Sequence, residues 1–368
     1  MSNELGRMRE SSAAWQELRY EPAVGDDGSG YDRNAVRRAR VLWALQYDRG
    51  PGDVELVRWL AGQEAQCRRG VPSQGLGDET TLAGLLLAEY RVVEDVWLHW
   101  EIKRANFDTW CGYDVQALCA AGVEATLAHV RAGEHPERDA LVERLLGEDG
   151  KPWLSEQEVA RWFGAMRSRF PADPAGEDPL TLVERARMTG DHGLARELLD
   201  AWAAGQERDE DTLGELRSWL ADFGAFAEAA QARRESLVFA VGARDRASAW
   251  LDLAELERLA GHHPAGWEAL TECRRALAEV DGWREVGLGR MYVAELFLLA
   301  GAAEPALAAE VFTEADRQAA EVAGLSLVAL RAAVAAAAHV GDRTGEEHYR
   351  ALAAHERRSI DGLLAPED

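Results

Sequence analysis

Apolar residues recur at steps of three and four from Asn34 to the C-terminal end of the chain, and no segment shows the strict alternation of a half-buried strand. The pattern predicts an all-α protein. AVRRARVLWALQY (35–47) opens it, GPG stops it, and Asp53 reads as the N-cap of VELVRWLAGQEAQCRR. After a loop, GVPSQGLG, Asp78 is expected to cap a long helix reaching about Phe107. Further helices are predicted near 113–132, 136–147 and 155–168, the last with Ser155 and Glu158 as a capping box. FPADPAGEDP (170–179) holds three prolines and reads as a linker, with Asp178 and Pro179 as cap and first residue of the next helix. Residues 1–33 include GDDGSGYD, whose glycines and acids suggest a mobile leader. These signals divide the chain into a leader (1–33), a helical N-terminal domain (34–169), a linker (170–178) and a repeat domain (179–368).

The last of these segments is repetitive. Gly190, Gly224, Gly261, Gly301 and Gly341 stand between helical patterns at spacings of 34, 37, 40 and 40 residues. In each fragment a helix ends at the glycine and a second begins after a short polar turn. Five residues beyond the glycine stand Ala195, Ala229, Gly266, Ala306 and Glu346, four of them small. A glycine accepts the left-handed conformation that ends a helix, and a small residue lets the next helix cross closely. This plan resembles the tetratricopeptide repeat over about residues 178–360, best at Trp250, Leu253, Ala254, Gly261 and Gly266. The resemblance implies a right-handed α-solenoid of helix pairs, preceded here by a tryptophan-rich helical domain, and a protein or peptide as partner. First helices line the concave side in such arrays, which selects Arg187, Arg217, Trp250, Glu257 and Arg290 as candidate contacts. Trp250 also occupies a family core position, so packing is its other reading.

Eight of the thirteen tryptophans precede residue 170, and VWLHWEIKRANFDTWCGYD (96–114) is the segment richest in chemistry. On one helix Val93, Trp97, Trp100, Arg104, Phe107 and Cys111 share a face, so a single arginine interrupts an apolar stripe. Two readings follow. In one, Arg104 pairs with Glu101 or Asp108 and locks the helix to its neighbours. In the other, the indoles wall a pocket in which Arg104, His99 or Asn106 holds a polar ligand and Asp108, Cys111 or Asp114 contacts it. The second reading makes the chain a small-ligand sensor or an enzyme.

Composition narrows the function further. With 65 Asp plus Glu against 41 Lys plus Arg, the net charge of −24 repels phosphate backbones, so no nucleic-acid partner is expected. The N-terminal residues lack the apolar core of a signal peptide, and the Ala-rich run 332–338 is too short to span a bilayer. A cytoplasmic protein without a membrane partner is expected. Cys67, Cys111, Cys119 and Cys273 form no CxxC pair. His262 and His263 are adjacent in a turn, while His348 and His355 stand about 10 Å apart along a helix, so neither pair suits a metal. GDDGSGYD lacks the ligand spacing of a calcium loop. No HExxH, GxxxxGK[ST] or GxSxG motif occurs, and no catalytic set, metal or cofactor is expected. The basic run Arg37 to Arg40 reads as the solvated face of an amphipathic helix, with contact to an acidic partner as its other reading, and a multidomain transcriptional regulator lacks a convincing basic recognition helix. The classes that remain are a binding scaffold or regulatory adaptor on the repeat half, and a ligand site in segment 96–114.

Overall fold

A computed structural model describes residues 2–71 and 75–364, of which residues 2, 3 and 362–364 are described in backbone only. Part of the loop expected at 70–77, residues 72–74, lies outside that range, as do residues 365–368 at the end of the repeat segment. The chain is all-α. Among the described residues the strands of its one sheet are β1 (Pro22–Val24) and β2 (Gly30–Asp32), an antiparallel hairpin with Ala23 opposite Tyr31. The chain divides into two compact units, Met1–Asp191 and His192–Asp368.

In the first unit, α1 (Ser2–Glu10) precedes the hairpin and α2 (Ala35–Tyr47) follows it. Then come α3 (Val54–Gly70), α4 (Asp78–Ala88), α5 (Val96–Lys103), α6 (Phe107–Gly112), α7 (Val123–Ala132), α8 (Arg138–Leu145), α9 (Glu156–Arg169) and α10 (Pro179–Met188). The core lies where α2, α3, α4 and α5 meet, filled by residues such as Leu42, Leu45, Val57, Leu60, Leu87 and Ile102.

The segment read above as a leader is built into this unit. Leu5, Met8 and Leu18 are buried, and Trp15 Nε1 donates to the Met8 carbonyl at 2.8 Å. Its Asp32 answers a buried charge. Arg38, fully buried, donates to Asp32 of the hairpin at 2.7 Å and to Glu64 of α3 at 2.6 Å, while Thr80 donates to Glu64 at 2.8 Å. Arg37 to Arg40 is therefore no uniform solvated face. Local sequence cannot show this, because Asp32 and Glu64 come from other elements.

The long helix expected from Glu79 to Phe107 is broken. Arg91 takes a positive φ of 56°, a 3-10 turn covers Val93–Asp95, and α5 ends at Lys103. Asn106 then caps α6, its side chain accepting from the Thr109 N–H at 2.8 Å while Thr109 Oγ1 accepts from the Asn106 N–H. The capping box at Ser155 and Glu158 forms, with the Ser155 N–H donating to Glu158 at 2.8 Å, and Asp178 caps α10 through the Leu180 N–H. The proline-rich stretch before α10 is held in the first unit: Glu177 is buried, and Arg185 of α10 donates to it at 3.0 Å and to Gln46 Oε1 at 2.8 Å.

The second unit comprises α11 (His192–Ala204), α12 (Glu210–Asp222), α13 (Phe226–Ser236), α14 (Ala243–Leu259), α15 (His263–Leu277), α16 (Gly287–Ala302), α17 (Pro305–Ala319), α18 (Leu327–Val340) and α19 (Arg343–Leu364). Each helix packs on the next in sequence, and α16 also packs on both α14 and α18. Three turns share one geometry. After α12, α14 and α18 the glycines Gly224, Gly261 and Gly341 have φ of 71°, 78° and 80°. The following N–H groups bond five residues back, Ala225 to Leu220, His262 to Glu257 and Asp342 to Ala337, which is the Schellman cap. Gly190 closes α10 of the first unit in the same way.

Gly301 departs from the plan. It lies inside α16, and the helix ends instead at Ala303 with ψ of 162°, ahead of Glu304 and Pro305. Proline forces the preceding residue to be extended, so this turn needs no left-handed glycine. The small residue in the crossing position shifts with it, from the exposed Ala306 to the buried Ala308, whereas Ala195, Ala229 and Gly266 are buried as expected.

Candidate functional site

The break between α5 and α6 decides where the chemistry of segment 96–114 goes. Because the two helices have separate axes, the stripe ends at Trp100, and Arg104, Phe107 and Cys111 are exposed. Arg104 pairs with Glu137, ahead of α8, and not with Glu101 or Asp108, which are both exposed. Glu137 also accepts from Trp100 Nε1 at 2.8 Å. Trp97 stacks on His135 with ring centroids 3.8 Å apart. His99 is buried against the Tyr113 hydroxyl, Asn106 is engaged in capping α6 and in donating to the Arg68 carbonyl at 3.0 Å, and Asp114 accepts from Trp162 Nε1 at 2.8 Å.

Trp100 and Arg104 do line an open groove of about 660 Å³, together with Trp110 of α6, Glu143 and Arg144 of α8, and Trp153. Trp100 and Trp110 meet edge to face at 6.0 Å. The Arg144 guanidinium lies 5.7 Å from the Trp110 ring and 5.5 Å from that of Trp153, within cation–π range of both. Trp153 is fixed by its own Nε1, which donates to the Arg144 carbonyl at 2.7 Å. Behind Trp110, the buried Lys103 ammonium donates to the Trp110 and Tyr113 carbonyls, satisfying the last turn of α6. Burial and the charge of Arg144 push Lys103 down to about 8. Trp110 is one of the indoles of segment 96–114, whereas Arg144 and Trp153 lie outside it. A lone arginine in DALVERL carries no local signal, and only the chain reversal at α8 brings it to α6.

The repeat candidates are placed differently. Arg187 pairs with Glu184 in the first unit, and Arg290 donates to the Glu285 carbonyl at 3.2 Å. Arg217 of α12 and Arg233 of α13 converge on Asp252 of α14. Trp250, Leu253 and Glu257 lie along α14 and floor a second groove, also about 660 Å³, whose sides come from Arg234 and Leu237 on one hand and Trp267, Glu268, Thr271 and Arg275 of α15 on the other. Glu257 is buried and accepts from Arg234 and from His262. Trp267 Nε1 donates to Glu310 at 3.2 Å, leaving its ring on the groove wall. A further pair, without a local signal in the sequence, joins α14 to α16: Arg258 donates to Glu295 at 2.6 Å. Burial raises Glu295 to about 6.

Among the described residues no group of three or more His, Cys, Asp or Glu is arranged to hold a metal ion, and no helix is long and apolar enough to cross a membrane. No protein-family model, no curated protein and no solved structure matches the chain.

Proposed function

We propose that the chain is a protein- or peptide-binding scaffold or regulatory adaptor of the cytoplasm, and that its second unit is a right-handed α-solenoid of tetratricopeptide-like helix pairs. The observation that carries this reading is the recurrence of one turn: Gly224, Gly261 and Gly341 close three first helices with the same Schellman bonds, and the small residues Ala229 and Gly266 follow at the crossing. A repeated turn produces repeated packing, and repeated packing leaves grooves between successive pairs.

The groove floored by α14 is the binding surface in this reading. Trp250 and Trp267 give it two half-buried indoles, the residue type most enriched at energetic centres of interfaces. Arg234 is answered by Glu257 and Arg275 by Glu272, so Glu268 at the rim is left as surplus charge. With a net charge of −24 on the chain, the field steers cationic partners inward. The partner we propose is a basic, extended peptide segment whose Lys or Arg side chains lie over the indoles.

Panning a random displayed-peptide library on the full chain tests this. Enriched peptides should carry Lys or Arg, and Trp267→Ala should weaken them by at least about tenfold. The reading fails if no peptide is enriched, or if the enriched peptides bind the Trp267→Ala variant as tightly as the parent.

A further inference from the structure

The groove of the first unit holds an arginine, Arg144, that no carboxylate among the described residues pairs, although Glu143 also stands in the lining. Arg104 is neutralised by Glu137, which is also tied to Trp100. Arg144 has no carboxylate within ion-pairing distance among the described residues, and its Nε is buried without a hydrogen-bond partner. Its position is nonetheless fixed, with the guanidinium held against the Trp110 and Trp153 rings. A solvated arginine has neither feature.

The lining selects one class of ligand. Three indoles around a groove suit a quaternary ammonium when the ring faces are free. Here Arg144 lies over Trp110 and Trp153, and Arg104 over Trp100, so a second cation meets repulsion where the attraction ought to be. An anion with a flat apolar body meets none. Its charge can lie on the outer edge of the guanidinium, which presents paired donors to a carboxylate, and its ring can pack on the indole surface that Arg104 and Arg144 leave uncovered. Glu143, also in the lining, disfavours a second negative charge and so selects a monoanion over a phosphate dianion. A groove of about 660 Å³ is within the usual size for small-molecule sites. We infer that the groove formed by Trp100, Trp110, Arg144 and Trp153 is a binding site for an aromatic monocarboxylate, with Arg144 as the carboxylate receptor. This makes the first unit a small-ligand module, independent of any peptide site on the second.

The test is calorimetric titration of the full chain at pH 7 with 2-naphthoate and, separately, with 2-naphthylmethylamine, which keeps the ring and reverses the charge. Naphthoate should bind saturably, and the amine at least about tenfold more weakly. Arg144→Met, which keeps an unbranched apolar stem and removes the guanidinium, should cost naphthoate about tenfold. Trp267→Ala in the second unit should leave naphthoate binding unchanged, so a failed peptide site and a failed carboxylate site give different results. Equal affinity for the two probes, no saturable naphthoate binding, or full affinity in a folded Arg144→Met variant overturns the assignment. Should Arg144→Met fail to fold, the comparison of the two probes on the parent chain still decides.

Discussion

His99 Nδ1 lies 2.6 Å from the phenolic oxygen of Tyr113, both side chains buried in the first unit. Burial moves their titrations in opposite directions, His99 down to about 3 and Tyr113 up beyond its ordinary range. Both groups are therefore neutral at pH 7, and the contact is a neutral hydrogen bond.

A stability cost on acidification follows. The folded-state value of His99 is depressed below that of the unfolded chain, so its contribution is complete above about pH 6.5 and is lost as pH falls toward 3. The loss is about 1.4 kcal/mol per pH unit, or roughly 2 kcal/mol between pH 7 and 5. Urea unfolding of the parent and of His99→Gln at both pH values measures it. The parent's advantage over the variant should shrink by about 2 kcal/mol at pH 5, and a constant difference contradicts the assignment.

The same contact explains Gly84, which lies in the middle of α4. A Cβ there would stand 2.3 Å from the Tyr113 hydroxyl and 2.8 Å from its ring. Replacing a helical glycine by alanine normally stabilises a protein by about 0.5 to 1 kcal/mol. At this position the sign should reverse, with Gly84→Ala costing about 1 to 3 kcal/mol from overpacking. A higher melting temperature in the variant would show that the phenol is not held against α4.

Two arginines that look alike in sequence should behave differently. Arg38 is fully buried between Asp32 and Glu64, and Arg38→Met leaves buried Asp32 without its cation and Glu64 with only Arg68 at 3.9 Å, at a cost of about 3 to 5 kcal/mol. Arg104 pairs with Glu137 where both side chains are more than a third exposed. Solvent screens that pair, and Arg104→Ala should cost less than about 1 kcal/mol. Denaturant midpoints of the two variants check the contrast, and equal losses would refute it.

These cases mark what the sequence discloses. Turns and caps are local, so the glycines at 224, 261 and 341, the Ser155 and Glu158 box and the Asp178 cap are all legible from a few residues. Gly301 misleads because Pro305 supplies a different way of ending the helix. Partners of buried charge are not local. Arg38 finds Asp32 in a hairpin and Glu64 on α3, and Arg104 finds Glu137 across a chain reversal. The groove follows the same rule: Trp100 and Arg104 could be selected from one dense segment, whereas Arg144 and Trp153 join them only through the placement of α8.

The last expectation concerns α10, which carries a cap and proline at its start and a repeat-type glycine at its end. By sequence it is the opening helix of the repeats; by its contacts it belongs to the first unit. Arg185 donates to Glu177 and Gln46 and lies 5.3 Å from the Trp43 ring, and none of those partners is present in a fragment starting at Pro179. An isolated helix of ten residues is marginal in water. In a 179–368 fragment the α10 amides should therefore exchange hydrogen within about tenfold of the unfolded rate, and a 192–368 fragment should unfold at the same urea concentration. In a 1–191 fragment the same amides should stay protected. Protection of α10 in the 179–368 fragment, together with a lower midpoint for 192–368, would assign the helix to the repeats and move the boundary back to the proline-rich stretch.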